Sequence, residues 1–170
     1  ACRLLRGDVA LAAGDEGAAA AEWEGLIASR EGAAGGGAAD SGGALFGGAV
    51  DGAELREMAA RRRLGSLGLR RADAEGRDAA HTHLQAAVKV GEGLVGRPPL
   101  VPPDADGARH PLLLDALGAL AEVYAERGDA ISAEGLYTTA VDGLHARAST
   151  SAAHARLLLP TLRSYAALLS

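Results

Sequence analysis

The sequence predicts an all-α protein built from stacked antiparallel helical hairpins, and three observations lead there. Outside two Gly- and Pro-rich stretches, apolar residues recur at three- and four-residue spacing, the period of one helix face. Aromatic residues make up 3% of the 170 positions and hydrophobic residues 48%. A core of mainly Ala and Leu suits close-packed helices better than a sheet, which favours β-branched and aromatic side chains. Finally, one helix–turn–helix pattern recurs within the chain at an offset of 53 positions.

In chain order, residues 1–30 read as a degenerate hairpin. In "RGDVALAAGDEGAAAAEWEGLIA", Gly7, Ala10, Gly14, Asp15, Ala19, Trp23 and Leu26 fall in register with the later copies, whereas Arg3 and Arg6 occupy packing positions. Residues 31–50 hold eight glycines in twenty positions and read as a linker. Residues 51–92 form a second hairpin. Residues 93–111 carry five of the six prolines and read as a loop. Residues 112–147 form the clearest hairpin, and residues 152–170 the opening helix of a further copy. In that last stretch Tyr165 lies 41 residues after Tyr124, and Pro160 disturbs the register.

The third hairpin shows the pattern best. Leu117, Leu120, Ala121 and Tyr124 share one stripe, Gly128-Asp129 supplies a turn, and Ala133, Leu136, Tyr137, Ala140 and Val141 share a second stripe. Shifted by 53 positions, Leu64 meets Leu117, Leu67 meets Leu120, Gly68 meets Ala121, Ala80 meets Ala133, and Leu84 meets Tyr137. Same-class residues recur at packing positions, as repeated hairpins require. Leu64, Leu67, Leu84, Leu117, Leu120, Tyr124, Ala133, Tyr137 and Ala140 are therefore expected to be buried. Arg71 stands where the second copy would carry its aromatic residue.

The pattern L-x-x-L-A-x-x-Y-x-x-x-G-D-x-x-x-A-x-x-x-Y-x-x-A, carried by Leu117 through Ala140, resembles the tetratricopeptide repeat. With His110-Pro111 opening the hairpin, it is similar to the kinesin-light-chain type. The resemblance covers roughly three-quarters of the chain. It implies an α-solenoid whose first helices line a concave groove that binds peptide segments or partner proteins. Carried over position by position, it places Arg62, Leu69 and Asp73 of the second hairpin and Asp115, Glu122 and Glu126 of the third in that groove. The third hairpin thus offers an acidic strip suited to a basic or mixed-charge segment.

Motifs for chemistry fare poorly. Gly91, Gly93 and Gly96 match G-x-G-x-x-G, but "HLQAAVKV" before them is helical and "RPPLVPP" after them cannot open the helix that holds a pyrophosphate. The glycines are instead expected to stop a helix. His81 and His83, two apart on a helix, point to different sides and cannot share an ion. His110, His145 and His154 lack carboxylate or Cys neighbours at ligand spacing. Ser66 in "GSLG" lacks a nucleophile elbow, Lys89 sits in no phosphate loop, and the two Arg-Gly-Asp triplets fall in helical or hairpin positions. Cys2 is the single cysteine, so neither an internal disulfide nor a Cys-based zinc site can form. No enzyme activity and no cofactor is expected.

The net charge of −5 argues against a general nucleic-acid binder. Arg61, Arg62 and Arg63, with Arg70, Arg71 and Arg77, form the one basic concentration. Residues 51–92 nevertheless hold eight basic against seven acidic residues, as on a solvated, salt-bridged face. No apolar run reaches 18 residues, and the chain begins without a basic segment leading into an apolar one, so neither a transmembrane helix nor a signal peptide is expected. The start without Met and the apolar pattern at Ser170 point to a processed form or a piece of a longer protein. The expectation is a soluble intracellular protein of the cytoplasm or an organelle, a mitochondrion or chloroplast. Its expected role is a protein-interaction scaffold, a subunit or region of a larger complex. The alternative is an RNA-associated helical repeat in an organellar ribosome or RNA-processing complex.

Overall fold

A computed structural model describes residues 3–35, 52–71, 73–94 and 110–170. Within them lie seven α-helices and no strand: α1 (Arg3–Ala12), α2 (Glu16–Gly35), α3 (Gly52–Arg70), α4 (Ala74–Leu94), α5 (Pro111–Glu126), α6 (Ala130–Ala148) and α7 (Ala152–Leu168). The protein is all-α, as its apolar spacing and composition predict. Residues 31–35 of the Gly-rich stretch extend α2, and 93–94 extend α4. The rest of those two stretches, Gly96 included, lies outside the described residues except for His110 and Pro111, which open α5.

The turns are built alike. Gly14 and Gly128 take the left-handed conformation, φ +85° and +79°, which residues with a Cβ adopt only at a steric cost. In each case the Gly amide donates to the carbonyl three residues back, Leu11 or Ala125. The following Asp amide donates five back, to Ala10 or Tyr124. Each Asp then caps the next helix: Asp15 Oδ1 accepts from the Ala18 amide at 2.8 Å, and Asp129 Oδ1 from the Ser132 amide at 3.1 Å. The Ser132 bonds hold the Asp129 carboxyl below the usual carboxylate range. Between α3 and α4, Asp73 caps in the same way, accepting from the Gly76 amide at 2.6 Å. His110 caps α5, its Nδ1 accepting from the Leu112 amide at 3.2 Å, with Pro111 in the first turn where its missing N–H costs nothing.

Each helix packs on the next, and α1 also touches α3, α3 touches α5, and α5 touches α7. No even-numbered pair makes such a contact among the described residues. The larger core draws on α3 to α6 through Met58, Leu84, Val88, Leu113, Leu117, Leu120, Val123 and Leu144. A smaller one joins α2 to α3 through Trp23, Ile27, Leu64 and Leu67, with Leu4 and Leu11 of α1 against it. Of the nine residues expected to be buried, eight are. Tyr124 is half-buried, because its hydroxyl reaches the α4 surface at His81 Nε2 and Gln85 Nε2, both 3.4 Å away.

Small residues set the helix spacing. A Cβ on Gly68 would fall 2.6 Å from the Gly76 carbonyl oxygen, so only glycine allows α3 and α4 to approach there. Gly91 corrects the expectation that the glycines after Lys89 stop a helix. It lies inside α4, buried, where a Cβ would meet Leu113 Cδ1 and Met58 Sδ at 2.8 Å. Its missing side chain lets α5 and α3 pack closely and does not end α4. Pro160 likewise lies within α7, which continues through it to Leu168. That helix buries His154 alone and leaves Leu159 and Leu162 exposed along its length, with Leu169 exposed just beyond its end.

Candidate partner-binding groove

A cavity of about 660 Å³ runs between α3, α5 and α7. Arg62, Ser66, Leu69 and Arg70 line it from α3, and Glu122, Ala125 and Glu126 from α5. Ser164, Ala167 and Leu168 come from α7, with Tyr137 of α6 also lining it. Four of the six residues proposed from sequence, Arg62, Leu69, Glu122 and Glu126, thus meet in one place. Asp115 lines a smaller pocket that shares Arg62, Glu122, Tyr137 and Ser164 with it.

Asp73 lines neither cavity. In the 53-residue register it corresponds to Glu126, but α3 ends at Arg70, three positions before the end of α5 in that register. Asp73 therefore leaves the helix and caps α4 instead. The contributions of Tyr137, Ser164, Ala167 and Leu168 were missed. The spacing of Tyr165 after Tyr124 marked α7 as an opening helix, but Pro160 obscured which of its positions face inward.

The groove combines an acidic wall with an apolar floor. Glu122 Oε1 accepts a hydrogen bond from Ser164 Oγ at 2.7 Å. Among the described residues neither Glu122 nor Glu126 has a basic side chain within ion-pair distance. The field of these carboxylates registers on Tyr137. Burial first, and then Glu122 and Glu126, push its phenol up to about 12, against the opposing effect of a Ser164 hydrogen bond. Tyr137 stacks on Tyr165 with ring centroids 5.5 Å apart, which ties α6 to α7 below the groove. The positive side is largely neutralised. Arg62 Nη2 donates to Asp115 Oδ1 at 2.9 Å, and its Nε lies 2.9 Å from Oδ2, poorly aligned for a hydrogen bond. Arg62 also donates to Ser66 Oγ. Arg70, on the exposed rim, stands 4.0 Å from Glu16.

The three consecutive arginines do more than decorate a surface. Successive helix positions point about 100° apart, so Arg61, Arg62 and Arg63 reach three different helices. Arg61 Nη2 pairs with Glu31 of α2 at 2.9 Å, and its Nε pairs with Glu57 of its own helix at 2.8 Å. Arg62 pairs with Asp115 of α5, and Arg63 Nη2 with Asp8 Oδ2 of α1 at 2.9 Å. Buried Glu57 also receives Arg30 of α2 at 2.6 Å. Interleaved acids in the sequence were expected to make salt bridges, but their reach between helices was not apparent.

The histidines gather into no metal-binding group among the described residues. His81 meets Tyr124 edge-on, with ring centroids 5.4 Å apart. His83 is half-buried, and its Nδ1 has no hydrogen-bond partner. Both are held below the usual imidazole value, by burial first and then by Arg127 for His81 and Arg61 for His83. Burial, then His154, does the same to His110. Among the described residues no three His, Cys, Asp or Glu side chains gather as a metal site, and no helix is long and apolar enough to cross a membrane. The chain matches no protein-family model, no curated protein and no solved structure.

Proposed function

We propose that this chain is a non-enzymatic docking module, a tetratricopeptide-like α-solenoid segment that holds part of a partner protein within a larger assembly. The observation that carries the reading is the groove itself. It lies between successive odd-numbered helices, has an apolar floor, and presents two carboxylates that find no basic partner among the described residues. Its volume falls in the range that receives a few side chains or a drug-sized ligand. Contacts among odd-numbered helices, without matching contacts among even-numbered ones, suit a curved array with the odd helices on the inner side. The RNA-associated alternative rested on Arg61 to Arg63. All three guanidiniums are engaged by carboxylates of the fold, which weighs against their serving as phosphate contacts.

A photo-reactive residue at Ala167, in the groove, compared with one at Ala79, on exposed α4, tests the reading in the native source. Cross-links from position 167 to one defined segment of a partner, with none to that segment from position 79, are expected. Indiscriminate cross-linking from both positions would end the proposal.

A further inference from the structure

Resting on the docking reading above, we infer that the bound segment presents an arginine to Glu122 and Glu126, beside an apolar side chain seated against Leu69 and Leu168. Glu122 and Glu126 are one helical turn apart on α5, so their carboxylates project from the same face toward the cavity. Ser164 uses part of the acceptor capacity of Glu122. Among the described residues, no cation serves the remaining oxygens of either group.

The planar guanidinium, with five donors in a fixed fork, can satisfy two carboxylates at once. A lysine ammonium meets them only as a compact point charge. Across the cavity from α5, Leu69 on α3 and Ala167 and Leu168 on α7 supply an apolar patch beside the polar Arg62, Ser66, Arg70 and Ser164. A bare cation would leave this surface wet. A basic side chain followed closely by an apolar one covers both halves. An acidic segment is opposed by Glu122 and Glu126; of the two arginines that line the cavity, Arg62 is held by Asp115, and Arg70 stands on the exposed rim 4.0 Å from Glu16. Charge complementarity therefore selects a basic–apolar segment over an acidic one.

The test uses fluorescein-labelled Gly/Ser peptides read by anisotropy against the full chain. One carries Arg and Leu two residues apart; variants replace Arg by Lys, Arg by Glu, or Leu by Ser. The Arg–Leu peptide is expected to bind ~10-fold more tightly than the Glu–Leu peptide, and Lys and Ser versions to fall between. Glu122→Gln and Glu126→Gln should each weaken Arg–Leu binding about 3- to 10-fold. Glu126→Arg should reverse the preference between Arg–Leu and Glu–Leu peptides, a result that misfolding cannot produce.

Ala167→Trp, which fills the cavity, separates this inference from the docking reading. If that variant abolishes binding while wild type holds Arg–Leu and Glu–Leu peptides equally, the groove stands and its arginine preference is overturned. Peptide binding unaffected by Ala167→Trp removes both. Absence of Arg–Leu binding at ~1 mM, the weakest affinity such a contact should give, overturns the inference. So does sedimentation showing that a second copy of this chain fills the groove.

Discussion

The second and third hairpins, α3–α4 and α5–α6, show which positions the fold constrains. At an offset of 53 residues, Leu64 and Leu117, Leu67 and Leu120, Ala80 and Ala133, Leu84 and Tyr137, and Ala87 and Ala140 are buried in both. The groove-facing positions differ in charge: Arg62 against Asp115, Leu69 against Glu122. Packing requires apolar residues at these positions in each copy because each hairpin buries its stripe against the next. The groove face carries no such requirement, so its chemistry can differ between copies. The Arg62–Asp115 pair joins equivalent positions of consecutive hairpins, and the difference in charge itself helps hold α3 to α5.

Breaking the shared core should have the largest effect. Leu120→Ala should cost roughly 2–5 kcal/mol. The equivalent Leu67→Ala should fall at the low end of that range, because Leu67 belongs to the smaller cluster. Denaturant melts followed by circular dichroism measure both, and a loss under 1 kcal/mol for Leu120→Ala would contradict the core described here. Next comes the position where the hairpins differ in spacing. Gly68→Ala should destabilise by about 1–3 kcal/mol because the new methyl meets the α4 backbone. The reverse change at the equivalent site, Ala121→Gly, should cost about 1 kcal/mol from helix propensity. Equal effects would mean that the two hairpins pack at the same distance.

Charge changes are smaller. Arg62→Ala should cost ~0.2–1 kcal/mol, since both partners of the pair are about one-fifth exposed. An Arg62→Asp, Asp115→Arg exchange should recover part of it; no recovery would show that the pair does not couple α3 to α5. Acidification acts on both sides of the comparison, through His81 and His83 on α4 and His110 at the start of α5. All three are held below their ordinary value of 6.5 in the folded protein. The unfolded chain therefore takes up protons first. Their contribution is complete above pH 6.5, declines as pH falls below it, and levels off below the folded values. Melting temperature should drop across that window, and less so in a His83→Gln variant. An unchanged drop would exonerate His83.

The third hairpin was legible because a Gly-Asp turn and two aromatic positions mark it locally. The helical fold of residues 52–94 followed from the 53-residue offset. Gly91 was misread because a glycine near a proline-rich stretch signals a helix end just as well as a close interhelix approach, and only the position of Leu113 separates the two. The fan of Arg61, Arg62 and Arg63 depends on partners between about 30 and 55 residues away. Local charge counting cannot supply such pairings. Four of the groove positions could be placed by register. The α7 wall could not, since Pro160 breaks the periodicity that would have placed Ser164 and Leu168.

Hydrogen exchange, read by mass spectrometry with and without saturating Arg–Leu peptide, tests most directly whether the face formed by the odd-numbered helices is where a partner docks. Slowed exchange concentrated in the second half of α5 and in residues 160–168, with 78–86 of α4 unchanged, is the predicted result. Protection centred on α4 or α6, or spread evenly over all seven helices, would contradict it.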